Sequence, residues 1–307
     1  MKFRNLLDII LLGAMWGPSF LFIKLGVGEL APVTLVALRV FFGSILLLAL
    51  LAMRGGSLPR SRETWIRLYV MGLFAISLPF ILFAFAGGRV SSALSGIING
   101  TTPLFTAIFA HYFIASERLT LSKIVGVFFG LVGFLILLLP LVIGGGAYGD
   151  LVGVLADAIA SIFYAIGIVY GRRYLSDLPP LVGPTGMLLA CSSYLVPLAL
   201  LLERFYPSAT FSFQGLGSAT ALAVLGTAIA YTLYYRILRT SGAVALSLSL
   251  YLMTVFAAIL GRFVLGEKLG WTVYLAGGFI LLGMMIVGET IKLSFLFKAK
   301  VDSSIEK

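Results

Sequence analysis

Apolar residues run along this chain in blocks of about 20, interrupted by single polar side chains and separated by short polar connections. Ten blocks can be marked, roughly 6–27, 31–53, 66–86, 90–114, 121–143, 149–171, 181–203, 214–238, 242–264 and 270–290. As helices, blocks of about 20 residues cross a ~30 Å hydrocarbon core. None alternates in the in-and-out manner of a barrel strand, and only helices and closed barrels satisfy their backbone in lipid. The pattern predicts an all-α polytopic membrane bundle of ten transmembrane helices. Its longest connections, Arg54–Trp65 and Tyr206–Phe213, leave no room for a soluble domain.

Composition agrees with the pattern. The 307 residues are 60% hydrophobic and 11% charged, where a soluble domain carries about 25% charged residues, and the mean hydropathy is +1.09. Lys2 and Arg4 ahead of an apolar run imitate a secretory leader, but Asp8 interrupts the run and no A-x-A site follows. The first block therefore reads as a retained span.

The net charge of +10 suggests nucleic acid only until the basic residues are placed. Sixteen of the 22 lysines and arginines fall at the N-terminus (Lys2, Arg4), in every second connection (Arg54, Arg60, Arg62, Arg67; Arg118, Lys123; Arg172, Arg173; Arg236, Arg239) and in the tail (Lys292, Lys298, Lys300, Lys307). The connections on the other side hold Arg89, Arg204 and Lys268. By the positive-inside rule both termini are cytoplasmic, as an even number of spans requires. Charge thus encodes orientation in a plasma or inner membrane, with lipid and not nucleic acid as the surrounding partner. One cysteine, Cys191, and one histidine, His111, exclude a disulfide framework and a Cys/His zinc site. No metal or cofactor is expected.

The chain also repeats itself. Glu117, Leu119 and Gly133 fall on Glu267, Leu269 and Gly283 at one offset, and Trp16, Lys24 and Pro32 fall on Tyr164, Arg172 and Pro180 at an offset two residues shorter. This divides the sequence into residues 1–147, residues 148–290 and a basic cytoplasmic tail, 291–307. Each unit holds five spans. Because five is odd, the second copy enters the membrane from the opposite side, an inverted-topology repeat of the kind found in secondary transporters.

The five-plus-five spans, the "WG" of span 1 followed by Lys24, Pro32 then Arg39 in span 2, and the paired "ERL…G…G" and "EKL…G…G" endings together resemble the EamA family of the drug/metabolite transporter superfamily. The resemblance covers residues 6–290. It implies an exporter of amino acids or other metabolites, with relatives that move nucleotide sugars or triose phosphates. The Gly-rich spans 5 (Gly126, Gly130, Gly133) and 10 (Gly277, Gly278, Gly283) permit close helix contact. The resemblance makes them a scaffold or a homodimer surface.

Ionisable side chains inside a bilayer cost ~2.5–3.5 kcal/mol or more on insertion scales and normally face the bundle interior or water. Lys24, Arg39 and Asp157 are the three that need explaining. Lys24 lies near the end of span 1, where it either snorkels or looks into a cavity. Arg39 and Asp157 lie at similar depth in spans 2 and 6, which allows an Arg39–Asp157 pair; one of them engaging substrate, or Asp157 binding a proton, is the functional alternative. In span 4, Ser92, Ser95, Asn99, Thr102 and Thr106 share one helical face. Counterparts in the second half are Ser247, Tyr251 and Thr254. Lone hydroxyls commonly bond their own preceding turn, whereas the Asn99 amide has more donors and acceptors than its own turn can satisfy. Pro103 and the Gly17-Pro18 pair loosen spans 4 and 1 beside these groups. The candidate substrate contacts are Trp16, Lys24, Arg39, Asn99, Thr102, Asp157, Tyr164, Tyr231 and Tyr251. Glu117 and Glu267, at span ends, read as capping or ion-pair residues.

These residues point to a non-enzymatic carrier of a small molecule, amino acids first, working by alternating access. The absence of GxxxxGK[ST] argues against direct use of ATP. A multidrug or organic-cation exporter is the alternative, expected to show an aromatic cavity with Asp157 unpaired. A structural or lipid-organising protein would have no central cavity. An enzyme is disfavoured by the single His and Cys and by the lack of a clustered acid, base and nucleophile.

Overall fold

The computed structural model describes residues 3–114, 117–142, 150–179, 181–203 and 212–288, with the side chains of 3–6, 140–142 and 238–248 left aside. Expectations placed on Lys2, Arg4, Pro180, Arg204, Arg239, the side chain of Ser247 and the 291–307 tail lie outside the described residues.

Every apolar block is helical, and the breaks follow local chemistry. Block 1 is split into α1 (Phe3–Trp16) and α2 (Ser19–Val27) at Gly17-Pro18, where proline lacks the donor and the room to continue the helix. Pro32 opens α3 (Pro32–Met53) at its first position, where no N–H is needed. Block 3 is α4 (Arg62–Gly72), a π-helical segment at Leu73–Ser77, and α5 (Leu78–Gly87). Block 4 is α6 (Ser92–Asn99) and α7 (Thr102–Phe113), separated at Gly100-Thr101 ahead of Pro103. Then follow α8 (Leu121–Val142), α9 (Leu151–Tyr174), α10 (Val182–Leu202) and α11 (Phe213–Ala223), a second π-helical segment at Val224–Ile229, α12 (Ala230–Phe263) and α13 (Trp271–Val287). Among the described residues, eight helical stretches are long and apolar enough to cross a membrane; Ser249–Phe263 and Trp271–Val287 are shorter.

Blocks 8 and 9, expected as two spans, follow one another as helical backbone from Ala230 to Phe263 with no loop residue between them. This stretch, α12, is nonetheless not one straight rod. Tyr231 packs on Trp16 and Arg236 meets Asp8, so this part runs antiparallel to α1. Leu252 faces Gly13 and Phe256 faces Gly17, so the later part runs parallel to it. In a straight helix Phe256 would lie ~30 Å beyond Arg236. The chain therefore reverses between Ile237 and Ser249.

The contacts define two ends of the bundle. At the basic end Arg67 reaches the Tyr174 carbonyl, Arg173 that of Phe113, and Arg172 pairs with Glu117. At the opposite end Lys24 meets Val90, Arg89 pairs with Asp150, and Glu203 and Glu267 cap α3 and α6. Among the candidate spans, Ser92–Phe113 is the most buried and Leu121–Leu139 the least, so α6, α7 and α9 form the centre and α8 with α13 the flank. Gly126, Gly133 and Gly283 serve contact between α8 and α13, whereas a Cβ on Gly278 would meet nothing within 4 Å. A Cβ on Gly283 would lie 2.5 Å from the Gly126 carbonyl, and one on Gly126 would lie 2.8 Å from that of Gly283, so α8 and α13 touch backbone to backbone. Outward, Phe41, Phe42, Ile45 and Leu48 on α3 and Leu131, Leu135 and Leu139 on α8 are exposed at helical spacing. An apolar girdle of this kind is unstable in water and suits hydrocarbon.

Candidate functional site

The centre of the bundle holds a cavity lined by Trp16, Ser19, Phe20, Ile23, Arg39, Phe80, Phe83, Asn99, Tyr164 and Met253, with about 40 Å³ of free space. That is room for roughly three waters, well below the ~300–1,000 Å³ of a typical ligand pocket. The cavity lining comes from α1, α2, α3, α5, α6, α9 and α12, so the broken spans 1 and 4 both contribute.

Arg39 is the charged group of this lining and is only 4% exposed. Its Nε donates to Thr227 Oγ1 at 2.8 Å and one Nη to the Gly226 carbonyl at 3.1 Å, and the guanidinium stacks 3.9 Å from the centre of the Phe80 ring. Both oxygens belong to the second π-helical segment, whose widened turn supplies a carbonyl able to serve side chains; the same Gly226 oxygen also accepts from Trp16 Nε1 at 3.2 Å. π-Segments are commonly found at functional sites. Two of the five N–H donors of the Arg39 guanidinium are used on Thr227 and Gly226. No carboxylate pairs with Arg39 among the described residues.

The Arg39–Asp157 pair allowed by depth is thus not formed. Asp157 is 0% exposed and no hydrogen bond of good geometry reaches either of its oxygens, the Ser95 hydroxyl being the polar side chain that acts on it. Depth along a span does not fix the direction a side chain takes around it: Arg39 turns towards Gly226-Thr227, and Asp157 towards Ser95 of α6. Nor does Lys24 look into the cavity. Its Nζ donates to the Val90 carbonyl at 2.7 Å, beside the start of α6, where Glu267 accepts from the backbone N–H of Ser92 at 2.7 Å and of Ala93 at 3.1 Å. Lys24 thus ties α2 to the connection ahead of α6.

Of the other candidates, Trp16, Asn99 and Tyr164 join Arg39 in the lining. Thr102 stands behind it, donating to Asn99 Oδ1 at 3.0 Å, while Asn99 Nδ2 lies 3.9 Å from Met253 Sδ. Tyr231 packs edge-on against Trp16 at 6.1 Å and is within electrostatic reach of Arg39 and Tyr164. Tyr251 is directed away, its hydroxyl donating to the Met284 carbonyl of α13. Several hydroxyls do bond their own turn, as Thr106 to Thr102 and Ser161 to Asp157, both at 2.9 Å. His111 accepts from the Leu119 N–H at 3.2 Å near the basic end. Sequence reasoning missed Ser19, Ile23, Phe80, Phe83 and Met253 in the lining, and Thr227 as the Arg39 acceptor. Phe80 follows a proline within its span, a faint signal; in spans rich in Phe and Met nothing marks the others.

The model of the EamA-like transporter family matches this chain twice, over residues 5–139 and 151–288. The uncharacterized inner membrane transporter YedA of Escherichia coli (strain K12) is 31% identical over 314 residues, covering 98% of this chain and 96% of its own. The S-adenosylmethionine/S-adenosylhomocysteine transporter of Chlamydia trachomatis (serovar L2) is 26% identical, covering 91% and 87%. A solved crystal structure superposes with TM-score 0.68 at 22% identity, covering 93% of this chain and 96% of the other, which establishes a shared fold. With both of its halves matched, this multi-pass membrane protein belongs to the EamA-like transporter family.

Proposed function

We propose that the chain is a secondary carrier of small metabolites bearing a carboxylate, amino acids first, that works by alternating access around the central cavity. The observation that carries this reading is Arg39: a buried guanidinium, held by neutral partners, with donors left over in an aromatic chamber. Such a group is a receptor for a carboxylate, which it binds in bidentate fashion. Trp16, Phe20, Phe83 and Tyr164 supply the apolar wall, and Asn99 a neutral polar contact. The relative named for S-adenosylmethionine carries a methionine derivative, in keeping with this class.

The carrier is built from two five-helix halves of opposite orientation, 1–147 and 148–290, making ten crossings with both termini cytoplasmic. Support comes from the two family matches and from the two π-helical segments, Leu73–Ser77 and Val224–Ile229, at corresponding places in the halves. Further support is the placement of the Arg172–Glu117 pair at one end, and of the Lys24–Val90 bond and the Glu267 cap on Ser92 at the other. In the repeat Lys24 matches Arg172 and Glu267 matches Glu117, so corresponding residues fasten the bundle at each end, as an ion pair at one and as separate backbone bonds at the other. Solute shifts the populations by binding the two open states unequally.

An organic-cation exporter has one observation in its favour, since the cavity is aromatic and Asp157 unpaired. Against it, the charge that lines the cavity is positive and Asp157 is outside the lining. Counterflow in proteoliposomes across amino acids, sugar phosphates and organic cations decides: amino acids should exchange, and exchange of organic cations alone overturns the proposal.

A further inference from the structure

Outside the cavity, one seam of the bundle concentrates unsatisfied polar groups. Ser92 Oγ, Ser95 Oγ and both carboxyl oxygens of Asp157 are buried without a hydrogen bond of good geometry. Ser92 and Ser95 stand three residues apart on one face of α6, and Ser95 is the side chain that interacts with Asp157 across the α6–α9 contact. At the end of the bundle the seam meets Glu267. A Cβ on Gly261 would lie 2.4 Å from Glu267 Oε2 and 2.9 Å from Ser92 Oγ, so these two atoms flank the same glycine. Glu267 is only partly buried. At its inner end the seam reaches Asn99, one turn beyond Ser95, and Tyr164, two turns beyond Asp157, both of them in the cavity wall.

We infer that Asp157 is a proton-binding site, reached from the Glu267 end of the bundle along Ser92 and Ser95, and separate from the solute contacts. A buried carboxylate with no counter-ion, and with only the Ser95 hydroxyl acting on it, is strongly disfavoured, so the closed seam suits the neutral acid. It ionises when opening admits water. A cation of the sodium type would instead need several oxygens around it, and Asp157 has no such cage. The step is simple: an O–H bond forms on one Asp157 oxygen with a proton from water, and breaks again when the seam is hydrated.

Among the described residues no other charge is placed to set this equilibrium. On α9 itself, Asp150 is held by Arg89 at the outer mouth, Tyr164 lies two turns inward, and Tyr170, Arg172, Arg173 and Tyr174 lie further on, towards the basic end. α6 offers Ser92, Ser95 and Asn99, none titratable, and α5 and the Leu73–Ser77 segment carry no ionisable side chain. Arg67 and Glu63 of α4, His111 of α7 and Lys123 of α8 sit at the basic end. The inference deepens the carrier reading by naming a coupling ion, but its test requires no solute.

Infrared difference spectra of the purified protein in liposomes, stepped between about pH 5 and pH 9, read the carbonyl stretch of protonated carboxyls directly. The wild type should show a band whose intensity changes with pH, and Asp157→Asn should lose it. Ser95→Ala keeps the carboxyl and should shift the band without removing it, which keeps the test valid should Asp157→Asn fold poorly. A wild-type spectrum with no pH-dependent carboxyl band, or a band unchanged in both variants, overturns the assignment. Solute exchange without that band would leave the carrier reading standing and remove only the proton site.

Discussion

Arg39→Met places in the first half the residue that the matching position of the second half carries, Met187, and the structure predicts opposite effects on stability and on binding. The substitution removes two hydrogen bonds and the stack on Phe80. It leaves nothing orphaned, because the Gly226 carbonyl keeps Trp16 Nε1 and the Thr227 hydroxyl keeps the Leu222 carbonyl at 2.9 Å. Exchanging a buried charge with neutral partners for an apolar side chain of similar length is commonly neutral or stabilising. The change in unfolding free energy should therefore stay within about 1 kcal/mol or favour the variant. Binding is different, because a solute carboxylate brought into the cavity would lose its charged partner, a loss of about 3–5 kcal/mol. At ~1.4 kcal/mol per decade that is about two to three and a half decades in Kd. Thermal unfolding in detergent and counterflow in proteoliposomes measure the two effects on one preparation. A variant that unfolds far below wild type, or that exchanges carboxylate solutes within twofold of it, refutes the reasoning.

Three further outcomes follow from local geometry. Glu203→Ala strips the start of α3 of an acceptor for Val33 N at 3.0 Å, Thr34 N at 2.6 Å and Thr34 Oγ1 at 2.7 Å; loss of such a cap costs about 1–2 kcal/mol, visible as a lower unfolding temperature. Gly167→Ala drives a Cβ to 2.5 Å from the backbone nitrogen of Ala75; relief by displacing the Leu73–Ser77 segment costs about 1–3 kcal/mol, and an undiminished melting temperature would show that segment to be loosely held. Asp150, at the mouth of α9, accepts from the Gly153 N–H and from Arg89, which hold its carboxyl below the usual aspartate range. Its contribution to stability is therefore present above the unfolded value of about 3.9 and is lost as pH falls through the lower folded value, so melting curves of Asp150→Asn should lack that acid-side decline.

The breaks in the bundle were legible in the sequence because proline has one local meaning: Gly17-Pro18 and Pro103 mark the divisions of α1 from α2 and of α6 from α7. Glu117 and Glu267, placed at span ends, do form an ion pair and a helix cap there. The depth of Arg39 could be counted in residues, but its partners could not. They rest on a π-helical turn at Val224–Ile229 that contains no proline and so leaves no mark in composition. Depth also misled for Asp157, since equal height in two spans says nothing about which way each helix is turned. Lys24 shows the same limit: a tilt of one helix face decides between a solute contact and the Val90 carbonyl, and that tilt is set by tertiary packing. At the offset that pairs Pro32 with Pro180, Arg39 falls on Met187, so the second half has no counterpart of this charge.

The claim that the central cavity opens to each side in turn is tested most directly by accessibility at Asn99. Cys191 is buried, and in a Cys191→Ser background Asn99→Cys becomes the one thiol to follow with a membrane-impermeant maleimide added to either face of oriented vesicles. The account predicts labelling from both faces, slowed when a transported carboxylate solute is present. Labelling from neither face, or from one face only whatever the solute, would contradict it.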